Sequence, residues 1–245
     1  MDRLIYTAMT GATGTMNQQA AVSNNIANAS STGFRAQMHK LRGVEIQTEA
    51  FRSRSFAVDA SIANDFTPGP IQYTGRPYDV AVEGKGWLSV RLPDGSEGYT
   101  RNGSLALSPA GILQTRDGLP VVGDGGGPIA LPPDTEIVIG RDGSVSSIDP
   151  NGNIVNIVAQ LKLVNPPEAE LVRGDDGLFR LASGVPAPAD GNVQVAGGYL
   201  EGSNVNVADQ MVQMISLARQ FEMQVRMLQT AETNDRAAAQ VLAAR

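Results

Sequence analysis

The chain has 245 residues, and its 19 Lys and Arg stand against 25 Asp and Glu, which gives a formal net charge of −6. It has no Cys and a single His, which excludes disulfides, thiolate metal sites and multi-histidine metal centres. The acidic balance argues against nucleic acid as a partner, because such binding depends on Lys and Arg at phosphates. No run of about 18 apolar residues occurs, so no membrane insertion is expected.

Three residue types are distributed unevenly along the sequence. All 14 prolines lie between Pro68 and Pro188, and glycine is concentrated in the same part of the chain. All eight methionines lie outside it, from Met1 to Met38 and from Met211 to Met227. Because Pro and Gly mark turns and Met favours helices, the pattern predicts two helical ends around a turn-rich middle.

The C-terminal segment carries the clearest helical pattern. Apolar residues recur there at alternating spacings of four and three residues, which is the spacing of a heptad seam. Asn204 or Asn206 is suited to cap the start of this helix, and Asp209 suits the positive end of its dipole. The predicted seam, which is the candidate subunit interface, consists of Val207, Met211, Met214, Ala218, Phe221, Val225 and Leu228.

The N-terminal segment carries a weaker version of the same pattern. Ile5, Met9, Ala12 and Met16 keep the heptad spacing, and Ala20, Val22 and Ile26 continue an apolar face less strictly. Gly11, Gly14, Ala12 and Ala20 are small, which permits another helix to approach closely. A helix of such low propensity needs a partner, and the C-terminal seam is the obvious candidate. One interpretation is an ordinary two-helix hairpin packed on a core. The other is a pair of long helices that present seams to other subunits, which the insertion of a whole domain between them favours.

The middle of the chain is predicted to be β structure, with Gly33 as the stop of the preceding helix. Short strand candidates alternate there with Asn-Gly and Asp-Gly pairs, which supply the positive φ of tight hairpins. This pattern predicts a mainly antiparallel, partly barrel-like β domain, preceded by an extended connector with one hairpin. The strand candidates are residues 78–82, 87–92, 98–101, 104–107, 112–115, 120–122, 136–139, 145–148, 154–163 and 178–181.

No catalytic, cofactor-binding or metal site is predicted. The loop at residues 123–128 has Pro128 where a dinucleotide fingerprint requires its third glycine. Asp149, Asn151 and Asn153 lack the glycine and the glutamate that complete a calcium loop. The protein is therefore not expected to be an enzyme, although a hydrolase using carboxylates of the β domain, or a secreted β-rich binding module, stays open as an alternative.

A long motif near the end of the first helix narrows these alternatives. Residues 24–35, NNIANASSTGFR, resemble the signature N-N-[IL]-A-N-x-x-T-x-G-[FY]-[KR] of bacterial flagellar rod and hook proteins. Ser31 replaces the usual Thr, and Thr32 stands where Pro is common. Residues 75–84, 99–103 and 200–206 also look like this family, and residues 1–9 and 218–224 look most like its proximal-rod member. The matching motif residues are Asn24, Asn25, Ala27, Asn28, Gly33, Phe34 and Arg35.

The resemblance implies an α+β subunit of the flagellar basal-body rod. Its terminal helices (1–35 and 200–245) would form a coiled-coil domain, joined by the connector (36–75) to an outward-facing β domain (76–199). Such subunits polymerise helically into the periplasm-crossing drive shaft, which transmits torque and encloses the export channel. The implied partners are copies of the chain, neighbouring rod subunits and the flagellar type III export apparatus, which needs no cleaved signal peptide. A distal-rod or hook-type axial paralogue is the alternative.

Overall fold

The computed structural model describes residues 2–45, 55–132, 136–148 and 154–243. Two long helices, α1 (Asp2–Ala27) and α2 (Val207–Ala243), stand at the ends of an otherwise β-rich chain, which confirms the predicted α+β class. A short 3₁₀ helix lies at Glu168–Glu170. The strands of the described residues are β1 (Gln37–Glu45), β2 (Ser55–Asn64), β3 (Ile71–Tyr73), β4 (Val80–Glu83), β5 (Trp87–Arg91), β6 (Glu97–Thr100), β7 (Leu105–Leu107), β8 (Leu113–Thr115), β9 (Glu136–Ile139), β10 (Ser144–Ile148), β11 (Ile154–Gln160), β12 (Leu163–Val164), β13 (Leu171–Arg173), β14 (Phe179–Leu181), β15 (Gln194–Gly197) and β16 (Tyr199–Glu201).

The chain forms two compact units. We call the first the helical unit, which comprises Met1–Ala29, Arg35–Asp65 and Val205–Arg245. We call the second the β unit, which comprises Ser30–Phe34 and Phe66–Asn204. Residues of the signature motif are therefore divided between the two units.

In the helical unit, α1 and α2 pack against each other in opposite directions. The Gln224 side chain lies over Gly11, and the Asn25 amide donates a hydrogen bond to Oε1 of Gln210 at 3.1 Å. Asn206 caps α2, because its Oδ1 accepts the backbone N–H of Ala208 at 3.0 Å, as the sequence predicts.

The first helix ends earlier than the sequence predicts. It stops at Ala27, well before the predicted stop at Gly33. The Asn28 side chain donates to the backbone carbonyl of Asn24 at 3.0 Å and to its Oδ1 at 2.8 Å. Asparagine side chains that bond locally in this way compete with helix propagation, which explains the early end.

The interval predicted as a connector carries regular structure. Strands β1 and β2 pair antiparallel, with a register shift between Lys40 and Leu41, and they account for the one hairpin expected in this interval. Strand β3 follows, and it pairs with β16 from the far end of the β unit rather than with a neighbour in sequence.

The β unit is built from antiparallel sheets around two apolar clusters. Its largest sheet has the strand order β12-β5-β6-β14-β13, and a three-stranded sheet has the order β11-β10-β9. One cluster includes Val80, Leu88 and Val145, and the other is centred on Trp87 and Phe179, whose rings lie 4.7 Å apart. Trp87 is therefore a core residue, as predicted.

Several predicted strands need correction. Residues 120–122 form isolated bridges instead of a strand, and the candidate at 154–163 is divided into β11 and β12. Strands β3, β13, β15 and β16, each three or four residues long, were not predicted, and β3, β15 and β16 pair with strands distant in sequence. The calcium-like triplet Asp149, Asn151 and Asn153 lies outside the described residues.

Candidate functional site at the motif junction and the exposed helix faces

Four stretches of the β unit contact one another, and each of them belongs to a motif of the family resemblance or lies close to one. They are residues 30–34, 67–70, 99–103 and 201–204, and we call their meeting point the motif junction. The chain enters or leaves the β unit next to three of these stretches. The chain therefore passes between the β unit and the helical unit at residues that belong to the motif junction or lie next to it.

A buried ion pair lies at the centre of the motif junction. Nη1 of Arg101 donates to Oε2 of Glu201 at 3.0 Å, and the side chains are only 3% and 1% exposed. The same guanidinium donates to the backbone carbonyls of Val82 at 3.2 Å and Gly84 at 2.6 Å, and it lies 5.4 Å from the centre of the Trp87 ring. A buried charge pair is tolerated only when such further hydrogen bonds satisfy both groups.

Glu201 joins three of the four stretches. Its Oε1 accepts the backbone N–H of Gly69 at 2.8 Å, and its backbone carbonyl accepts the N–H of Gly33 at 2.8 Å. Its Oε2 accepts from Arg101, as described above. One residue therefore holds the signature loop, the Pro-Gly-Pro segment and the Tyr-Thr-Arg-Asn-Gly turn together.

Glycine is required where these stretches approach one another. Gly33 has φ +67°, and a Cβ on it would overlap the backbone of Arg101 and Asn102. A Cβ on Gly103 would overlap the backbone carbonyl of Val80. Because these obstacles are backbone atoms, which cannot turn aside, no larger residue fits.

Hydrogen bonds at Tyr99 and at Asn102 fix the turn at residues 99–103. Oη of the buried Tyr99 accepts the backbone N–H of Ala187 at 2.7 Å, and burial raises the pKa of this phenol. The Thr32 hydroxyl donates to Oδ1 of Asn102 at 2.7 Å, and this oxygen also accepts the backbone N–H of Ser104 at 3.2 Å. Thr32 thus keeps a defined role although it stands where Pro is common in the motif.

Phe34 of the signature loop is buried beneath an arginine. The Arg173 guanidinium lies 4.5 Å from the centre of the Phe34 ring and 5.8 Å from that of Phe179, a cation–π arrangement. Burial lowers the pKa of Arg173 from its ordinary value. The backbone N–H of Asn204 donates to the Phe34 carbonyl at 3.3 Å, which ties the loop to the chain just before α2.

The remaining motif residues belong to the helical unit. Asn25 is only 2% exposed, and its Oδ1 accepts the backbone N–H of Gln37 while its amide donates to the Gln37 carbonyl, both at 2.8 Å. Arg35 is also buried. Asn24 and Ala27 are exposed, and Asn28 is half-buried.

Part of the predicted seam of α1 is exposed. Met9 and Met16 are exposed, Ala12 and Ile26 are half-buried, and the side chain of Ile5 lies outside the described ones. The buried residues of α1 are mostly small or polar, so an apolar pattern identifies only part of them. Gly11, Thr15 and Asn25 contact α2. Besides Thr15 and Asn25, the described residues of α1 that are buried are Ala8, Gly14, Ala21 and Val22.

The predicted seam of α2 is divided. Met214, Phe221 and Leu228 are half-buried and belong to the heptad rows, together with Gln210 and Gln224, that lie against α1. Ala218 and Val225 are half-buried beside them, whereas Val207 and Met211 are exposed. Further exposed apolar residues, which the prediction missed, lie around the rest of the helix at Val212, Ile215, Met223 and Met227.

Neither a metal-binding cluster nor a membrane-spanning helix is found among the described residues. They contain no group of three or more His, Asp or Glu placed to hold a metal ion. Within the described part of the chain, neither helix is long and apolar enough to cross a membrane.

Comparison with known proteins decides the family. Three family models match: flagella basal body rod protein at residues 5–35, flagellar hook protein FlgE/F/G D1 domain at 81–156, and flagellar basal body rod FlgEFG protein C-terminal at 196–241. The flagellar basal-body rod protein FlgF of Escherichia coli is 46% identical over 250 residues, which cover 99% of each chain. The chain belongs to the flagellar basal-body rod protein family.

Other relatives agree with this assignment. The FlgF proteins of Salmonella typhimurium and Caulobacter vibrioides are 44% and 32% identical, and in both cases 99% of this chain is covered. The three matched segments of this rod-family chain correspond to α1 with the signature loop, to much of the β unit, and to β16 with α2. The motif junction therefore contains residues from all three segments.

Proposed function

We propose that the chain is a structural subunit of the proximal part of the bacterial flagellar basal-body rod. Subunits would polymerise helically through α1 and α2 to form the shaft that crosses the periplasm, transmits torque and encloses the export channel. The role is mechanical and not enzymatic. The observation that carries the proposal is the number of large apolar side chains that α2 leaves exposed.

These exposed side chains are not confined to one stripe. Met211, Ile215 and Met223 are each more than half exposed. Met211 and Ile215 lie one turn apart on one side of this helix of 37 residues, and Met223 lies about 100° further round it. A helix that is apolar on several sides is typical of a helix surrounded by protein. Since α1 covers only one side, neighbouring subunits are the partners that would cover the others.

Contacts of this kind support a filament. A face of one subunit that binds a different face of the next propagates along a helix when the rotation does not close into a ring. At 1.5 Å per residue, α2 is about 55 Å long, so many contacts would act in parallel along it. Parallel contacts suit a shaft that carries torque.

The remaining parts of the proposal concern export and location. We propose that the flagellar type III apparatus exports the chain without cleavage of a signal peptide, and that its partners are copies of itself and neighbouring rod subunits in the periplasm. The absence of Cys suits this route, because free thiols would crosslink in an oxidising compartment.

A complementation experiment tests the proposal. In a flagellated bacterium whose own copy of the gene is deleted, the wild-type chain should restore swimming, and electron microscopy should locate it in the rod of isolated basal bodies. Met211→Asp and Met223→Asp should abolish both, because each puts a charge on a surface that neighbours would bury.

A matched control uses the β unit. Val172 is 54% exposed, much like Met211 at 52%, so Val172→Asp should leave swimming intact. Full swimming with both methionine variants, or absence of the chain from basal bodies, would contradict the proposal.

A further inference from the structure

The seam between α1 and α2 is polar at the places where it is most deeply buried. Thr15 is 1% exposed, and its hydroxyl shares its hydrogen between the Gly11 carbonyl at 3.0 Å and Oε1 of Gln224 at 3.4 Å. Asn25 is 2% exposed and donates to Oε1 of Gln210. Polar pairs at such positions cost stability relative to apolar ones, so their presence calls for another reason.

The hydrogen bonds of the Asn25 side chain show why its pairing with Gln210 is specific. Its Oδ1 accepts from the Gln37 backbone, and one amide hydrogen is donated to the Gln37 carbonyl. The second amide hydrogen is donated to Oε1 of Gln210. A helix without a polar side chain at that place would leave a buried donor unpaired, and an unpaired buried donor is costly.

Gly11 makes the second polar contact possible. A Cβ on Gly11 would lie 3.1 Å from Nε2 of Gln224, which is tighter than ordinary contact. The bare backbone at this position therefore makes room for the glutamine side chain that reaches Thr15. The glycine and the glutamine form a matched pair across the seam.

The two polar contacts fix a single register. Two heptads separate Gly11 from Asn25 on α1, and two heptads separate Gln210 from Gln224 on α2. A slip by one heptad in one direction would put Leu217 opposite Asn25, and a slip in the other direction would put a residue before the start of α2 there. Apolar contacts survive such slips, but the bond between Asn25 and Gln210 does not.

Both helices also carry other apolar faces through which they could pair. Met9 and Met16 give α1 a second, apolar face, and Met211 and Ile215 do the same for α2. Apolar contact is not directional, so these faces alone would permit several pairings. We propose that the pairs Asn25–Gln210 and Thr15–Gln224 are specificity determinants, which select the face and register in which α1 and α2 pair.

Disulfide trapping in the full-length chain, which has no native Cys, tests whether these polar pairs select the register of α1 and α2. The register defined by the Asn25–Gln210 and Gly11–Gln224 contacts is expected to bring Val22 opposite Met214, and a slip of one heptad would bring it opposite Phe221. Val22→Cys is therefore combined with Met214→Cys to report the native register, or with Phe221→Cys to report the slipped one. In the otherwise unchanged chain, the native pair should form disulfide at least about tenfold faster than the slipped pair.

The test variant removes the polar contacts by Thr15→Val, Gln210→Leu and Gln224→Leu. The slipped pair should then crosslink about as fast as the native pair. The control carries the same residue changes at exposed positions, Thr13→Val, Gln213→Leu and Gln220→Leu. Thr13 matches Thr15 closely, because its hydroxyl also bonds a carbonyl one turn earlier, that of Met9 at 3.0 Å.

Each outcome decides the matter. Equal crosslinking of both pairs in the test variant, with native preference kept in the control, supports the proposal. Continued native preference in the test variant would overturn it. Loss of both crosslinks would also overturn it, since the polar pairs would then hold the helices together without selecting a register. The result does not depend on whether the chain is a rod subunit.

Discussion

The β unit and the helical unit bury very different side chains. The β unit has cores of Val, Leu, Ile, Trp and Phe, and it also buries the Arg101–Glu201 ion pair with its hydrogen bonds satisfied on several sides. Among the described residues of the helical unit, the buried apolar side chains are alanines apart from one valine, Val22. Its large apolar residues are half-buried or exposed.

The two units therefore differ in where their apolar residues are buried: within the single chain or, as we propose, between subunits. The β unit buries its large apolar residues in cores of its own, so its stability should be a property of the single chain. The helical unit keeps much of its apolar surface outside, so its stability in the assembled state should depend on neighbours. Trp87, the single tryptophan, lies in a core of the β unit and reports the unfolding of that unit alone.

The largest expected effect on the β unit comes from breaking its buried ion pair. Arg101→Leu leaves the Glu201 carboxylate buried without its partner, which should lower the free energy of unfolding by about 3–5 kcal/mol. Urea titration followed by Trp87 fluorescence measures this. The control is Arg141→Leu, since Arg141 pairs with Glu83 at the surface, and this change should cost less than about 1 kcal/mol. Equal effects of the two changes would refute a special role for the buried pair.

A somewhat smaller effect is expected at the signature loop. Gly33→Ala combines a positive φ with overlap on the backbone of Arg101, which should cost about 3 kcal/mol in the same titration. Gly95 also has a positive φ, of 84°, but it faces open space, so Gly95→Ala should cost only about 1 kcal/mol. If Gly33→Ala lowered the free energy of unfolding no more than Gly95→Ala, the close packing of this loop in the motif junction would be contradicted.

Acid should weaken the β unit slightly through an exposed pair. A hydrogen bond from Arg180 lowers the pKa of Asp176 from its ordinary value of 3.8, so the folded state binds fewer protons than the unfolded state. This contribution is present above the ordinary pKa and is lost as the pH falls through the lowered value. Asp176→Asn should therefore be slightly less stable than wild type near pH 7, and the difference should vanish in strong acid. A difference that grew on acidification would contradict this.

The smallest effect on the isolated chain is expected on the outer face of α2. Ile215 is more than half exposed, so Ile215→Ser should change the stability of the purified chain by less than about 0.5 kcal/mol, as measured by circular dichroism. Swimming should nevertheless be impaired, because the assembled rod would bury this position. Normal swimming would show that this face of the helix is free in the rod.

The accuracy of the sequence-based prediction differs between the two units for a physical reason. Heptad spacing located both helices, and hairpin signals located most strands, because these patterns are local. The face of α1 that contacts α2 was predicted only in part, because Gly11 signals close approach but Thr15 and Asn25 carry no apolar signal. The ion pair was missed because Arg101 and Glu201 come together only through the fold. Both residues nevertheless lie within motifs that carried the family resemblance.

The central claim is that neighbouring subunits cover the apolar residues which the helical unit leaves exposed. A photo-crosslinking amino acid placed at Met211 or Met223 tests this directly, in purified monomer and in isolated basal bodies. The account predicts crosslinks to another subunit at both positions in basal bodies and none in dilute monomer. Basal bodies that give the same products as the monomer would contradict it.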